Sequence, residues 1–292
     1  MININVKKQL NSSEGKLELK VNFNISKGQL LCLFGASGSG KTSILRMICG
    51  LMKPDEGQII KGEQILFDSE KKINMAVQKR KIGFLSQDYS LFPNMSVVEN
   101  LKYGLDKGVN PILVNSTLDL LGLKGLEKQK PNQLSGGQKQ RLALGRSIVN
   151  KPDLLLLDEP LSALDGKMRS ELQSYILKIH KEFDLSMVLV THDVSEILKL
   201  SDVVHILENG KIIRSGTAEE VFLKNKISAK YQFTGEIVNI EKQGFISILH
   251  VQVGQNLIKA VCENSEEDFK LGDKVSLASK AFNPIVSKIL RP

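Results

Sequence analysis

Four short, uninterrupted apolar runs mark the first two-thirds of the chain: QLLCLFG (29–35), KIGFLSQ (81–87), DLLLLDE (153–159) and SMVLVTH (186–192). Runs of this length, bounded by Gly, Asp or Ser, fit strands buried on both faces. Between them lie stretches with helical spacing at 41–50, 135–150 and 166–183. In the last, Met168, Leu172, Tyr175, Ile176 and Ile179 recur every three to four residues, so one face is buried. The alternation predicts an α/β fold whose sheet contains parallel strands with crossover helices. From about 94 to 150 no convincing strand occurs. That stretch is expected to form a helical lobe inserted between the strand ending at Gln87 and the one ending at Glu159.

The pattern changes after about residue 232, where short β-type runs alternate with turns: GEIVNIE, GFISILHVQV, NLIKAVC, DKVSLAS and NPIVSKIL. VGQN (253–256) and LGDK (271–274) carry turn chemistry. Closely spaced strands over some 60 residues predict a small barrel or half-barrel. KNKISAKYQF (224–233) reads as the connector, and the expected domains are 1–230 and 233–292. No internal repeat or low-complexity tract appears.

Composition adds a partner class. Forty Lys and Arg against 32 Asp and Glu give a formal +8 over 292 residues, a balance that suits an anionic partner or a solubilising surface. Residues 234–292 hold seven basic and seven acidic residues, so 1–233 carries 33 against 25, the whole excess. Lys71-Lys72, Lys79-Arg80-Lys81 and Lys124-Lys128-Lys130 are clusters within that excess and read as surface charge. Aromatics at 5% are too sparse for the stacking platform of a single-strand binder. Cys32, Cys49 and Cys262 form no CxxC spacing and suggest reduced, buried thiols in the cytoplasm. No apolar run approaches a membrane-spanning length, and the first residues lack the apolar core of a signal peptide.

Three segments carry chemistry. Gly35-Ala36-Ser37-Gly38-Ser39-Gly40-Lys41-Thr42 fits GxxxxGK[ST] after an apolar strand and before a helix. Glycines let successive N–H groups turn inward around phosphate oxygens, and the helix start points its positive end at the same anion. Lys41 is suited to the β/γ-phosphates and Thr42 to Mg²⁺. Leu154–Leu157 followed by Asp158 and Glu159 predicts a buried strand delivering two carboxylates at its end. Asp158 then joins the Mg²⁺ shell, and Glu159 is the general base for an attacking water. Leu134-Ser135-Gly136-Gly137-Gln138-Lys139-Gln140-Arg141 offers a second phosphate cradle at a helix start. A Gly-rich turn and an acidic strand cap are the plain alternatives for the first two.

Together these segments resemble the ATP-binding cassette (ABC) transporter ATPases, with LSGGQ similar to that family's signature. GASGSGKT, Gln87 of FLSQD, LLLLDEP, Ser162-Ala163-Leu164-Asp165 and His192 of VTHD follow in family order. The resemblance covers about 1–230. It implies the ABC type of P-loop NTPase fold, a mixed sheet plus helical subdomain, followed by a small all-β OB-like domain. It also implies two cassettes closing head-to-tail around two ATP molecules. Each site would pair one chain's Gly35–Thr42 loop with the other chain's Ser135, Gly136, Gly137 and Gln138, and Ser43 and Asp165 also count among the implied ATP-binding residues. A homodimer or a close heterodimer is therefore expected. Gln87 would touch Mg²⁺ and the lytic water while its loop meets the membrane partner, and His192 would contact the γ-phosphate. His180, His205 and His250 are read as structural. Many members stack an early aromatic on adenine, but residues 1–22 contain none; Phe23 is the first, and GTP stays open.

The C-terminal stretch resembles the small TOBE- or Mop-type barrels appended to importer ATPases for oxyanions, sugars, polyamines and iron. TGEIVNIEKQGFISILHVQV and SLASKAFNPIV look most like molybdate-binding ones. Ser276, Ser279 and Lys280 are candidate donors to a tetrahedral oxyanion, with a dimerisation spacer as the alternative. The resemblance implies an importer ATPase for molybdate or a related oxyanion. It would be peripheral on the cytoplasmic face of the membrane, with a separate permease and an extracytoplasmic solute-binding protein. Sulfate, iron, polyamine or sugar import is the runner-up. A soluble cassette acting on nucleic acid is a weaker rival, lacking a second cassette or an inserted coiled coil. A non-hydrolysing oxyanion sensor is disfavoured by Glu159 and His192 both being in place.

Overall fold

The computed structural model describes residues 1–12, 15–105, 112–162, 164–223, 231–243, 246–263 and 269–279. Two compact units arise, Met1–Leu223 and Lys224–Pro292. The larger opens with β1 (Ile2–Ser12), β2 (Gly15–Ile25), β3 (Leu30–Phe34) and α1 (Lys41–Cys49). Then come β4 (Glu56–Lys61), β5 (Gln64–Asp68), β6 (Ile73–Asn74) and β7 (Ile82–Leu85). Helices α2 (Val97–Tyr103), α3 (Ile112–Leu120) and α4 (Gly136–Ile148) precede β8 (Leu154–Asp158). The unit continues with α5 (Gly166–Phe183), β9 (Ser186–Thr191), α6 (Val194–Leu200), β10 (Val203–Glu208) and β11 (Lys211–Gly216).

A six-stranded sheet in the order β11-β10-β3-β9-β8-β7 is parallel except for β11. All four apolar runs lie in it. A second, antiparallel sheet, β2-β1-β4-β5-β6, was not set apart by those runs. Its strands show the two-residue period of a sheet buried on one face: Leu19, Val21, Phe23 and Ile25 are buried while Lys20, Asn22 and Asn24 are exposed.

The same period sorts the parallel strands between two cores. Leu31, Leu33, Leu154, Leu156, Val188 and Val190 pack with α1 and the antiparallel sheet. Leu30, Leu155, Leu157, Met187 and Leu189 pack on the other face with residues of α2, α4 and α5. Full burial of each Leu contributes roughly 1.5–3 kcal/mol, so this sheet is the rigid platform of the unit. Within α5, Leu172, Ile176 and Ile179 are buried and Met168 and Tyr175 half-buried, as their spacing predicts. Among the described residues 94–150 contain helices and turns and no strand.

Arg80 does not belong to a surface cluster. It is 1% exposed, and its guanidinium donates to the carbonyls of Met47 and Ile48 at the end of α1, to Met75 O and to Asn74 Oδ1. The orphan carbonyls of a helix C-terminus attract a buried cation.

The smaller unit is a four-stranded antiparallel sheet in the order β14-β13-β12-β15, formed by Tyr231–Gln243 (β12), Ile246–Val253 (β13), Asn256–Glu263 (β14) and Lys274–Ser279 (β15). Ile237, Leu249 and Val251 centre its core. β13 and β14 are joined by the two-residue Gly254-Gln255 turn, with Gly254 left-handed at φ 59°. The expected fifth run, NPIVSKIL, lies outside the described residues.

Candidate functional site

Four neighbouring parallel strands end on one edge, and each predicted group of the nucleotide site follows one of them. Gly35 follows β3, Gln87 follows β7, Glu159 follows β8 and His192 follows β9. Ligands of open α/β sheets bind beyond such carboxyl ends.

The loop after β3 is held open by backbone geometry. Gly38 (φ 79°) and Gly40 (φ 104°) are left-handed, and a side-chain carbon at Gly38 would meet nothing within 4 Å. At Gly40 it would strike Leu19 Cδ1 at 2.3 Å, and at Gly35 the Leu207 carbonyl oxygen at 2.1 Å. Ala36 and Ser37 are exposed; Ser39 is buried, and its hydroxyl has no hydrogen-bond partner. Lys41, 6% exposed, donates to the carbonyls of Gly35 and Ala36 at 2.8 Å each, lying across the loop. Burial pushes its ammonium pKa down while Glu159 and Asp158 oppose the shift. An orphan hydroxyl, a buried cation bonded only to carbonyls and a helix start without a side-chain cap all call for an anion.

Asp158 shares parity with Leu154 and Leu156, so its carboxylate faces α1. Thr42 Oγ1 donates to Asp158 Oδ1 at 2.9 Å. Burial raises the Asp158 pKa, the Thr42 hydrogen bond opposes it, and the neighbouring Glu159 charge adds to the rise. A hydroxyl and a destabilised carboxylate are hard oxygen donors suited to Mg²⁺. Among the described residues no group of three or more His, Cys, Asp or Glu could hold a metal ion. The remaining ligands would have to be Gln87, water and phosphate oxygens.

Glu159 leaves the strand in a left-handed conformation (φ 47°), fixed by its N–H donating to Val190 O at 3.1 Å and by the Ser162 hydroxyl donating to its carbonyl at 3.1 Å. The left-handed region is costly for a non-glycine residue, so these two contacts hold the strand end in place. His192 and Gln87 are exposed; Ser43, on the first turn of α1, is half-buried. Beyond Gln87, Tyr89 (φ 56°) and Ser90 (φ 44°) are both left-handed, and Arg146 of α4 donates to Tyr89 O at 3.3 Å.

Ser135 N-caps α4 through a reciprocal pair. Its Oγ accepts from Gln138 N at 3.3 Å, and Gln138 Oε1 accepts from Ser135 N at 2.8 Å. Ser135 and Gly136 are exposed, and a side-chain carbon at Gly136 would meet nothing within 4 Å. Asp165 likewise caps α5, accepting from Met168 N at 2.9 Å. Ala163 lies outside the described residues.

Phe23 is 6% exposed, its ring edge-on to His205 with centroids 5.3 Å apart, so it is a core residue and does not reach a nucleotide. His205 is buried with both ring nitrogens unpartnered, which suits the neutral imidazole read as structural. His180 Nε2 lies 3.1 Å from Gly28 O. Of the candidate oxyanion donors, Ser276 and Ser279 fall on β15; Lys280 lies outside the described residues. Arg169 and Glu196, which shape the cleft beside His192, were not anticipated. An Arg and a Glu in the first turns of two separate helices carry no local signal of that role.

Fold and site define a P-loop ATPase of the cassette type. Residues 19–162 match the ABC transporter family and 227–283 the TOBE domain. The molybdenum import ATP-binding protein ModC of Haemophilus ducreyi is 37% identical over 287 residues, covering 96% of this chain and 80% of that protein. ModC of Haemophilus influenzae is 42% identical over 222 residues, 76% of this chain and 62% of that one. The sulfate/thiosulfate import ATP-binding protein CysA of Halalkalibacterium halodurans is 40% identical over 257 residues, 84% and 70% of the two chains. Among solved structures, the dimeric bacterial ABC transporter cassette MJ0796 superposes with a TM-score of 0.63 at 30% identity, covering 75% of this chain and 99% of its own. Clostridium perfringens cbiO1 gives 0.66 at 27%, covering 78% and 92%. The chain belongs to the ABC transporter ATP-binding family and carries a TOBE domain. No helix among the described residues is long and apolar enough to cross a membrane.

Proposed function

We propose that the chain is the ATP-hydrolysing subunit of an importer for molybdate or a related sulfate-type oxyanion, working through a separate permease. The observation that carries the reading is the delivery of Lys41 and Thr42, Gln87, Asp158 and Glu159, and His192 to one edge by successive parallel strands. Relatives named for molybdenum and for sulfate or thiosulfate import support the oxyanion class.

In this reading Lys41 exchanges its two loop carbonyls for the β- and γ-phosphates, and the Ser39 hydroxyl and loop N–H groups take the remaining phosphate oxygens. Thr42, Gln87 and Asp158 hold Mg²⁺, which neutralises phosphate charge in the transition state. Glu159 accepts the proton of the attacking water, and His192 bonds the γ-phosphate. Ser135 and Gly136, open to solvent, and the half-buried Gln138 complete the site of a second cassette, in keeping with an ATP-held dimer. Beside the Gln87 loop lies a groove of about 760 Å³ lined by Leu51, Val77, Phe92, Tyr103 and Arg146. Leu51 and Tyr103 are 60% and 63% exposed, an apolar surface suited to the permease and to a peripheral place on the cytoplasmic face.

Glu159→Gln tests the chemistry: ATP binding is retained, an ATP-bound dimer accumulates and turnover is lost. Normal hydrolysis by that variant contradicts the base assignment. For the smaller unit, millimolar molybdate or tungstate, but not chloride, raises its melting temperature in the intact chain if it binds oxyanion. No shift assigns it to spacing or dimerisation.

A further inference from the structure

Arg169, in the first turn of α5, reaches two segments of the site at once. Its Nη2 donates to the carbonyl of Leu164, next to Asp165, at 3.4 Å. Its Nη1 donates to Asp193 Oδ2 at 3.4 Å, and its Nε lies 3.8 Å from Glu196 Oε1. Both carboxylates follow His192 at the start of α6, Asp193 as its N-cap and Glu196 in its first turn. Thr191 Oγ1 donates to Glu196 Oε2 at 2.5 Å and accepts from Asp193 N at 3.1 Å. Asp193 Oδ1 in turn accepts from Ser195 N and Ser195 Oγ at 2.8 and 2.6 Å. The residues on both sides of His192 are therefore anchored, and Glu196, the deepest anchor, is 3% exposed. Arg169, Glu159, Ser162, His192 and Glu196 line one small cleft.

The clamp has slack. Each guanidinium contact is longer than the roughly 2.7–2.9 Å of a tight charge-assisted bond. Arg169 Nε is buried without a hydrogen-bond partner, facing a carboxylate just beyond bonding range.

We propose that Arg169 is a positioning residue that ties the seating of His192 to the position of the Leu164–Asp165 segment. The inference rests on the functional reading above, in which His192 meets the γ-phosphate.

A double-mutant cycle in the full chain tests it, with ATPase rate and KM measured for Arg169→Met, Arg169→Lys, His192→Ala and Arg169→Met/His192→Ala. Arg169→Met should lower kcat on the order of 10- to 100-fold with KM for ATP nearly unchanged and melting temperature close to wild type. Arg169→Lys should recover part of the rate, since an ammonium keeps the charge but reaches fewer of the three acceptors. In the His192→Ala background the Arg169→Met change should cost no more than about twofold. A full multiplicative loss on top of His192→Ala, or an unchanged kcat in Arg169→Met, overturns the coupling while leaving the functional reading intact. Normal hydrolysis by His192→Ala overturns both.

Discussion

Arg80→Met probes how the phosphate-loop helix is held in place. Arg80 makes four hydrogen bonds, two of them to the carbonyls of Met47 and Ile48 that end α1, and among the described residues no carboxylate pairs with it. Gly50, the left-handed C-cap of the same helix, leaves the space: a side-chain carbon there would lie 2.7 Å from the guanidinium. Met47 O keeps the Gly50 N–H as a second donor at 3.2 Å, whereas among the described residues Arg80 is the donor to Ile48 O. Stranding one buried carbonyl costs about 1–3 kcal/mol, and each other lost bond contributes about 0.5–1.5 kcal/mol. Relief from burying a guanidinium offsets part of this. The expected net destabilisation is about 3 kcal/mol, or roughly 6–12 °C in melting temperature for a unit of this size. Urea unfolding of Arg80→Met against wild type measures it, and Arg80→Lys should lie between them because an ammonium can still reach one or two carbonyls. A loss below about 1 kcal/mol would mean that apolar packing alone fixes α1, and would refute the account of a buried charge serving a helix terminus.

Gly35→Ala should abolish nucleotide binding and lower stability, because the added carbon would sit 2.1 Å from the Leu207 carbonyl oxygen and β3 would have to move away from β10; ATP affinity by calorimetry checks this, and wild-type affinity contradicts it. Burial holds the His205 imidazole pKa below its ordinary value of 6.5. The unfolded chain then binds more protons, so His205's contribution to stability is present above 6.5 and is lost as pH falls through the folded-state value. Melting curves between pH 7.5 and 5 should fall less steeply for His205→Leu than for wild type, and parallel curves would exclude the mechanism. Arg146→Met should slow turnover by releasing the left-handed Tyr89–Ser90 segment behind Gln87, with KM for ATP little changed; wild-type kcat in that variant rules it out.

Much of the site was readable because it is local. Glycines at fixed offsets, a lysine and threonine opening a helix, and two carboxylates after four leucines each mark their own strand end. Their shared edge follows from parallel pairing, so their common placement at one end of the sheet could be inferred from a linear series. What was not readable depends on distant partners. Arg80 sits between two lysines and looks like surface charge, yet the end of α1, more than 30 residues upstream, draws it inside. Arg169 and Glu196 join α5 to α6 through long contacts that no short pattern encodes. Phe23 alternates correctly for a strand, but whether it faced nucleotide or core depended on which face of β2 was covered. The antiparallel sheet was legible in the alternation of Ile2, Ile4 and Val6, although half-buried strands stand out less than continuous apolar runs.

Oxyanion uptake by vesicles containing the chain and its permease tests the central claim most directly, with ATP enclosed on the cassette side and radiolabelled molybdate offered with a solute-binding protein outside. The account predicts ATP-dependent accumulation that disappears when Glu159→Gln replaces the wild-type chain. Accumulation that persists with Glu159→Gln, or ATP hydrolysis that no tetrahedral oxyanion stimulates or transports, would contradict it.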